Sequence, residues 1–413
     1  MLNTMRRAGL VISLAGFAIS VNTVPALVPW FSNQFMVPVG NFGILFLLQF
    51  AAFTLCSMGV GKLHASRKLP LLAIAVVSLI ISSVLLFLIG LLPNFFMLVL
   101  VMIVIGGAGG LVESIGTTLI TTSNGSNRML YTSQFFYALG AFFAPLLVGL
   151  LLRVELSVPR IGNMVGLFTF CIAIAVWLLI FQPWKRRVVP TMMKPGGDGD
   201  NSIPDSQIIP ESTDMVVAPS GVRYAFPFLF LTMVSYVMIE GAVGSWFAVY
   251  VYEALSASES QSSFALSMFW VGLGVSRLIS MFRVYANHPR TLLTHMAMMG
   301  ASVVILIFLP LGEVGFLLFI AIFLLGFGCG PVWPLLIEYC SKIFVTEHLL
   351  MYLVGGGSLG ALLGPVVTST LFSIIGVDRM MYLYLAYVML MIGMTVVMLV
   401  VTASHRNRGR SPV

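Results

Sequence analysis

The feature that most constrains this chain is a series of twelve predominantly apolar runs, separated by charged or turn-forming residues. A bilayer core about 30 Å thick is crossed by a helix of roughly 20 apolar residues. The sequence therefore predicts an all-α integral membrane protein with twelve transmembrane helices. The first six runs cover 8–30, 41–61, 70–92, 95–122, 129–152 and 163–182, and the second six cover 225–252, 262–282, 291–311, 314–340, 347–375 and 379–403.

The composition supports a membrane protein. Hydrophobic residues make up 59% of the 413 residues and charged residues only 8%, whereas soluble domains contain about 45–50% and about 25%. A soluble protein is therefore excluded, and the lipid bilayer is the expected surrounding. The net charge of +7 does not indicate nucleic-acid binding, because membrane proteins collect Lys and Arg on cytoplasmic loops. The four cysteines lie in or beside apolar runs without zinc or disulfide spacing, and we expect no metal or other cofactor.

One long polar stretch, rich in Pro, Gly and Asp, separates the two sets of runs, and its composition is typical of a flexible linker. We therefore predict an N-terminal six-helix half at 1–182, a cytoplasmic linker at 183–223, a C-terminal six-helix half at 224–403 and a cytoplasmic tail at 404–413.

The basic residues predict the orientation. With a cytoplasmic N-terminus, only Arg153, Arg160 and Arg379 of the 21 Lys and Arg residues fall outside, and Arg277 lies within a span. The others fall on cytoplasmic segments, as the positive-inside rule requires. We expect a multi-pass plasma (inner) membrane protein with both termini in the cytoplasm.

The two sets of runs contain an internal repeat. Gly106-Gly107-Ala108-Gly109-Gly110 reappears as Gly326-Phe327-Gly328-Cys329-Gly330, and Leu139-Gly140-Ala141 reappears at the same offset as Leu359-Gly360-Ala361. Six spans per half give both halves the same orientation, which predicts a parallel repeat about an axis along the membrane normal. Such repeats hold a solute site between the halves near the midplane. The glycines themselves are also typical of close helix packing.

Four patches of sequence resemble the major facilitator superfamily, and within it the fucose permease-type (fucose/galactose/glucose:proton symporter) family. They are Gly110-Leu111-Val112-Glu113-Ser114 in span four, the stretch from Leu130 to Ala141 with Gln134 in span five, Glu240 preceding Trp246 in span seven, and Phe269-Trp270-Val271-Gly272 followed by Arg277 in span eight. The resemblance implies proton-coupled sugar uptake. The chain departs from the family pattern where asparagines are replaced by Thr117, Tyr131 and Tyr137 and where span one lacks its acidic residue.

Charged residues inside spans are functional candidates, because burying a charge in a membrane is costly. The chain has three: Glu113, Glu240 and Arg277. A carboxyl group in a dry cavity holds a proton more readily than one in water, so an acid exposed to each side in turn can carry protons. We predict Glu113 and Glu240 as proton-coupling residues. Arg277 either pairs with an acid, grips the solute or extends its charged head to the membrane interface.

Amide and aromatic side chains on the inner spans are candidates for contacting the solute, since amides bind hydroxyl groups and rings stack on sugar faces. Trp333 stands where the repeat places Glu113, which suggests coupling in the first half and stacking in the second. The predicted substrate-binding residues are Asn22, Gln49, Gln134, Tyr137, Trp246, Trp270, Arg277 and Trp333. Prolines 25, 29, 145, 331, 334 and 365 are predicted kinks or hinges.

These features predict a secondary transporter that works by alternating access and takes up a sugar or similar small polar solute with protons, as a monomer. An efflux carrier for amphipathic compounds is an alternative, since tyrosines and methionines make the spans less polar. A non-transporting sensor with a carrier fold also remains open. An enzyme is not expected, because the sequence shows no nucleophile, metal cluster or acid pair at reachable spacing.

Overall fold

A computed structural model describes residues 4–67, 70–122, 127–182, 222–282, 288–310, 314–344 and 347–408. The predicted linker lies almost wholly outside these residues, so its boundaries stay a prediction. The α-helices are α1 Thr4–Phe35, α2 Phe42–Arg67, α3 Leu71–Leu88, α4 Phe95–Thr122, α5 Asn127–Arg153, α6 Val158–Phe181, α7 Phe226–Glu253, α8 Glu259–Phe282, α9 His288–Ile307, α10 Phe316–Cys329, α11 Val332–Phe344, α12 Glu347–Ile375 and α13 Met380–Arg408, with short 3-10 turns at Val39–Asn41, Ile89–Leu91, Val222–Ala225 and Val377–Arg379.

The described residues contain 12 helical spans long and apolar enough to cross a membrane, as the sequence predicts. Span ten consists of α10 and α11, so α12 is span eleven and α13 is span twelve. Because successive spans alternate in direction, residues 4, 182, 222 and 408 lie at one end of the bundle. We call this end the terminal side and the opposite end the far side.

Prolines disturb these helices unequally. Helices α1, α5 and α12 run continuously through their internal prolines Pro25, Pro29, Pro145 and Pro365. Span ten is instead interrupted between Cys329 and Val332, at Gly330-Pro331. Proline lacks the N–H that closes a helical hydrogen bond, and here a glycine precedes it. Span ten is therefore interrupted at one predicted hinge, and kinks at the other prolines stay a prediction.

The outer surface of the bundle is apolar, as lipid contact requires. Large side chains are exposed on many spans, among them Leu55, Phe96, Phe168, Phe308 and Met389. In water such a surface would aggregate. The exposed apolar side chains therefore support burial of the bundle in a membrane.

The internal repeat is also a repeat of contacts. Four glycines of α4 and span ten lie so close to a neighbouring helix that an added Cβ would collide with its backbone. The matched contacts are Gly106 with the Gln49 carbonyl and Gly326 with the Phe269 carbonyl, then Gly110 with the Phe53 carbonyl and Gly330 with the Leu273 carbonyl. In each match, the glycine and its carbonyl partner in the second half follow those of the first half by the same offset as the sequence repeat. The glycines therefore act in close packing of α4 on α2 and of span ten on α8.

In the described part of the chain, the main contacts between the halves join α5 with α8, α2 with α12 and α1 with α7, and a smaller one joins α1 with α8. Near the far side, Ser260 Oγ donates to the Gly149 carbonyl at 2.8 Å, and Asn33 Nδ2 donates to the Tyr252 hydroxyl at 3.2 Å. Near the terminal side, Thr132 Oγ1 lies 3.1 Å from Met281 Sδ. These six helices form the contact between the halves, and α4 and span ten pack directly on them.

Candidate functional site

The structure brings the three predicted intramembrane charges together between the halves. Arg277 Nη2 on α8 lies 3.7 Å from Glu240 Oε1 on α7, and the two side chains are 3% and 14% exposed. Glu113, on α4 of the first half, is partly exposed and lies within Coulombic range of both. Two carboxyl groups and one guanidinium from three helices therefore form a charged cluster, which we define as Glu113, Glu240 and Arg277.

Arg277 is held by two main-chain carbonyls as well as by Glu240. Its Nε donates to the Gly330 carbonyl and its Nη1 to the Gln134 carbonyl, each at 3.3 Å. The Gly330 carbonyl has no helical partner because the residue four positions on is Pro334. With its side chain buried and paired, Arg277 does not extend to the interface, and that alternative is wrong for this conformation.

Tyr137 lies beside the charged cluster on α5. Its ring contacts Phe17 of α1 at a centroid distance of 5.8 Å and Trp270 of α8 at 6.2 Å. Its hydroxyl lies next to the Asn22 side chain and within range of Glu113. Tyr137 therefore joins rings from both halves and places a hydroxyl among the predicted solute-binding groups.

Two donors near the charged cluster have no hydrogen-bond partner among the described residues. They are the Tyr236 hydroxyl and the Trp270 indole Nε1. Tyr236 is fully buried and Trp270 is 3% exposed. Tyr236 lies one helical turn from Glu240 on α7 and close to Arg277. Tyr236 is not among the residues predicted from the sequence, although its spacing four residues before Glu240 places both on one helix face.

Trp246 lies outside the charged cluster. It is fully buried, it packs edge-on against Phe46 of α2 and Phe372 of α12, and its Nε1 donates to the Pro365 carbonyl at 2.8 Å. Its only N–H is thus already bonded in this conformation. In this conformation Trp246 therefore joins the two halves toward the far side, and its contact with a solute stays a prediction.

The remaining predicted residues have different surroundings. Gln49 is 2% exposed and packs against Gly106, and its Oε1 has no partner in the described part of the chain. Asn22 donates to the Ala18 carbonyl of its own helix at 2.9 Å. Gln134 is partly exposed, and its main-chain oxygen binds Arg277. These placements do not test a solute contact, which stays a prediction.

Trp333 occupies the repeat position of Glu113, and the structure shows a matching exchange on the next span. The Trp333 ring lies over Gly357 of α12, where a Cβ would collide with it. Gly357 is the repeat counterpart of Tyr137. The neighbours Glu113 and Tyr137 of the first half thus correspond to Trp333 and Gly357 of the second, and the glycine provides the space for the larger ring.

Glu338 forms an ion pair on the terminal side. Its Oε1 lies 2.8 Å from Lys342 Nζ and 3.1 Å from His288 Nε2. Lys342 is one helical turn away on α11, whereas His288 begins α9. This cluster connects two helices of the second half and is separate from the charged cluster.

Comparison with known proteins identifies the fold. No protein-family model and no curated protein matches this sequence. The POT family transporter PepTSo matches with a TM-score of 0.66 at 12% identity, covering 98% of this chain and 99% of that one. A bacterial homologue of the human lysosomal transporter Spinster, inward-facing and occupied, matches with a TM-score of 0.62 at 14% identity, covering 100% and 98%.

The nucleoside transporter NupG, crystallised as a point mutant, matches with a TM-score of 0.66 at 10% identity, covering 96% of this chain and 100% of that one. At such low identities these likenesses show the fold alone. They confirm the predicted major facilitator superfamily fold. None of the three is a fucose permease, so the narrower resemblance stays a prediction.

Proposed function

From the major facilitator superfamily fold of this chain, we propose that the protein is a secondary active transporter working by alternating access, and that it takes up a sugar or similar small polar solute together with protons. The observation that carries this proposal is the charged cluster. Charges inside a membrane protein are costly and mark solute or ion pathways. Here they come from both halves and meet between them, where parallel repeats hold their solute.

Glu113 is the proposed proton carrier. It is partly exposed, whereas Glu240 is already engaged by Arg277 at 3.7 Å. A carboxyl group without a dedicated partner can gain a proton when the site is dry and lose it when water enters. Glu240 is the second proposed coupling residue, because releasing Arg277 would leave it free to take up a proton.

The contacts between the halves suggest what must change during transport. The hydrogen bond from Arg277 to the Gln134 carbonyl joins α8 to α5. When one half rotates against the other, this bond must therefore break, or the two residues must move together. The far-side contacts between Ser260 and Gly149 and between Asn33 and Tyr252 must separate to admit solute from that side. We propose that the far side is outside the cell and the terminal side is cytoplasmic.

Uptake by purified protein tests the proposal. Reconstituted in proteoliposomes with an imposed proton gradient, the wild type is expected to accumulate at least one member of a radiolabelled panel of sugars and related polar solutes. Glu113→Gln should abolish accumulation but retain exchange of labelled for unlabelled solute, because exchange needs no net proton movement. Glu155→Gln, an exposed carboxyl outside the cluster, is the matched control and should behave as the wild type.

If Glu113→Gln still accumulates solute to the wild-type level, Glu113 is not the coupling residue. If the wild type moves no member of the panel in either direction, the uptake proposal is wrong. The same vesicles test efflux of amphipathic compounds, which the ring contacts among Phe17, Phe53, Tyr137 and Trp270 favour as a second candidate. Export driven by an opposed proton gradient would select that candidate.

A further inference from the structure

The buried donors around the charged cluster narrow the class of solute. Tyr236 and Trp270 each bury a polar hydrogen without a partner among the described residues. A buried donor left unpaired costs about 1–3 kcal/mol, so two of them at one site call for an acceptor that this conformation lacks. Tyr236 lies close to Glu240 and Arg277, yet no contact of its hydroxyl with a described residue has the geometry of a hydrogen bond in this conformation.

The two donors flank the ion pair. On α7, Tyr236, Glu240 and Gly244 follow one another at one-turn intervals, so they share a helix face. The edge of the Trp270 ring that adjoins Nε1 lies against Gly244, since its Cζ2 would be 3.1 Å from a Cβ there. Tyr236 thus lies on one side of Glu240 along the helix and Trp270 on the other.

Arg277 is only loosely paired. Its closest approach to Glu240 is 3.7 Å, longer than the 2.7–2.9 Å of a charge-assisted hydrogen bond. A guanidinium presents paired N–H groups that fit the two oxygens of a carboxylate. The site therefore offers an arginine fork beside an acid that can be displaced, and it has one further O–H donor and one further N–H donor about one helical turn to either side of that acid.

On the basis of the proposed transport function, we infer that the solute bears a carboxylate, which binds Arg277 with Tyr236 and Trp270 as additional donors while Glu240 gives up the arginine and takes a proton. A sugar acid fits both this inference and the sugar proposal. A carboxylate carries one negative charge, which Arg277 balances. A dianionic phosphate would leave excess negative charge beside Glu113.

The proton uptake follows from the surroundings of Glu240. The titratable or charged groups near it are Tyr236 on its own helix, Arg277 on α8, Glu113 on α4, Tyr137 on α5 and Cys329 on α10. Only Arg277 is cationic among them. If a solute carboxylate takes Arg277, Glu240 faces a second anion, and protonation relieves the repulsion. The proton on Glu240 then balances the charge of the solute carboxylate, and a proton carried by Glu113 adds one positive charge per solute.

Thermal unfolding of the full chain in detergent, with glucuronate compared with glucose, tests the inference. The two molecules differ only in the carboxylate at C6. Glucuronate is expected to raise the unfolding temperature clearly more than glucose does. Arg277→Lys should weaken glucuronate binding about tenfold or more, because an ammonium group cannot form the paired bonds.

Tyr236→Phe provides a test that does not depend on a disruptive change. Removing an unpaired buried hydroxyl should leave the unliganded protein at least as stable as the wild type, yet reduce stabilisation by glucuronate. A merely structural tyrosine would show loss of stability and unchanged binding.

The outcomes separate this inference from the transport proposal. If glucose is accumulated with protons and glucuronate does not bind, the inference is overturned and the transport proposal stands. If sulfate or phosphate stabilises the protein as well as glucuronate does, the site is a general anion site and the carboxylate is not its ligand. If lactate raises the unfolding temperature as much as glucuronate does, the result supports a carboxylate ligand and contradicts a requirement for the sugar ring. If no carboxylate binds, the inference fails.

Discussion

Arg277 of the second half donates a hydrogen bond to the main-chain carbonyl of Gln134 in the first half, at 3.3 Å. The acceptor is backbone, so this bond between the halves does not depend on the side chain at position 134. The same guanidinium faces Glu240 within its own half. One side chain thus connects the charged cluster to the contact between the halves, and changes at the cluster are expected to affect both.

Arg277→Met is expected to destabilise the protein strongly. Breaking a buried ion pair by removing one partner costs about 3–5 kcal/mol, because the remaining charge is buried without compensation. Adding Glu240→Gln should recover most of that loss. Thermal unfolding of the purified variants in detergent measures both effects.

The matched control is Arg379→Met. Arg379 pairs with Asp378 at 3.9 Å, and both side chains are more than half exposed. Its removal should change stability little, as is usual for exposed pairs. If the double variant is no more stable than Arg277→Met alone, the loss arises from something other than the unpaired Glu240.

Gly43→Val is expected to prevent close approach of α2 and α12 at the far side. An added Cβ at Gly43 would collide with the Ser369 side chain, and Gly40 meets Ser373 one turn away in the same manner. Distances between spin labels at Asn33→Cys and Tyr252→Cys should shift toward longer values. Gly393→Val is the control, since nothing lies within 4 Å of a Cβ there. Equal distance distributions in the two variants would contradict this role of Gly43.

Much of the fold could be predicted from the sequence, because span length and the scarcity of charge are set by the bilayer. The same scarcity singled out Glu113, Glu240 and Arg277, but which acid pairs with Arg277 depends on how α7 and α8 pack. The spacing of Tyr236 from Glu240 marks it among the 12 tyrosines only as a residue on the same helix face, and its unpaired hydroxyl is visible only in the structure.

Trp246 illustrates a related point. A buried indole that joins helices and a solute-binding indole have the same sequence signal, and the bond from Nε1 to the Pro365 carbonyl is visible only in the structure. The prolines behave similarly, since span ten is interrupted at Pro331 whereas α5 is continuous through Pro145.

Gly106→Ala and Gly326→Ala are expected to destabilise the protein to a similar extent. Each added methyl group meets a main-chain carbonyl of the neighbouring helix, that of Gln49 or Phe269. Overpacking of this kind costs about 1–3 kcal/mol. Gly59→Ala, in a helix with open space around the glycine, is the control and should be neutral or mildly stabilising. A large loss for only one of the repeat glycines would show that the contacts are not equivalent in energy.

The proposed orientation predicts which cysteines react from outside intact cells. In a chain without its native cysteines, Val154→Cys, at an exposed far-side position, should react with a membrane-impermeant maleimide. Gly197→Cys, in the predicted linker outside the described residues, should react only after the membrane is permeabilised. Reaction of Gly197→Cys in intact cells would reverse the proposed orientation.

Gly357→Ala is expected to weaken solute binding without removing any side chain that contacts the solute. The Trp333 ring occupies the space where the new methyl group would lie, so the ring must move away from α12. If Trp333 stacks on the solute, the displacement should raise the KM for uptake while leaving the proton dependence unchanged, because Glu113 and Glu240 are untouched. Gly355→Ala, two residues earlier on α12 with open space around it, is the matched control. An unchanged KM for Gly357→Ala, together with an unchanged KM for Trp333→Leu, would remove Trp333 from the solute site.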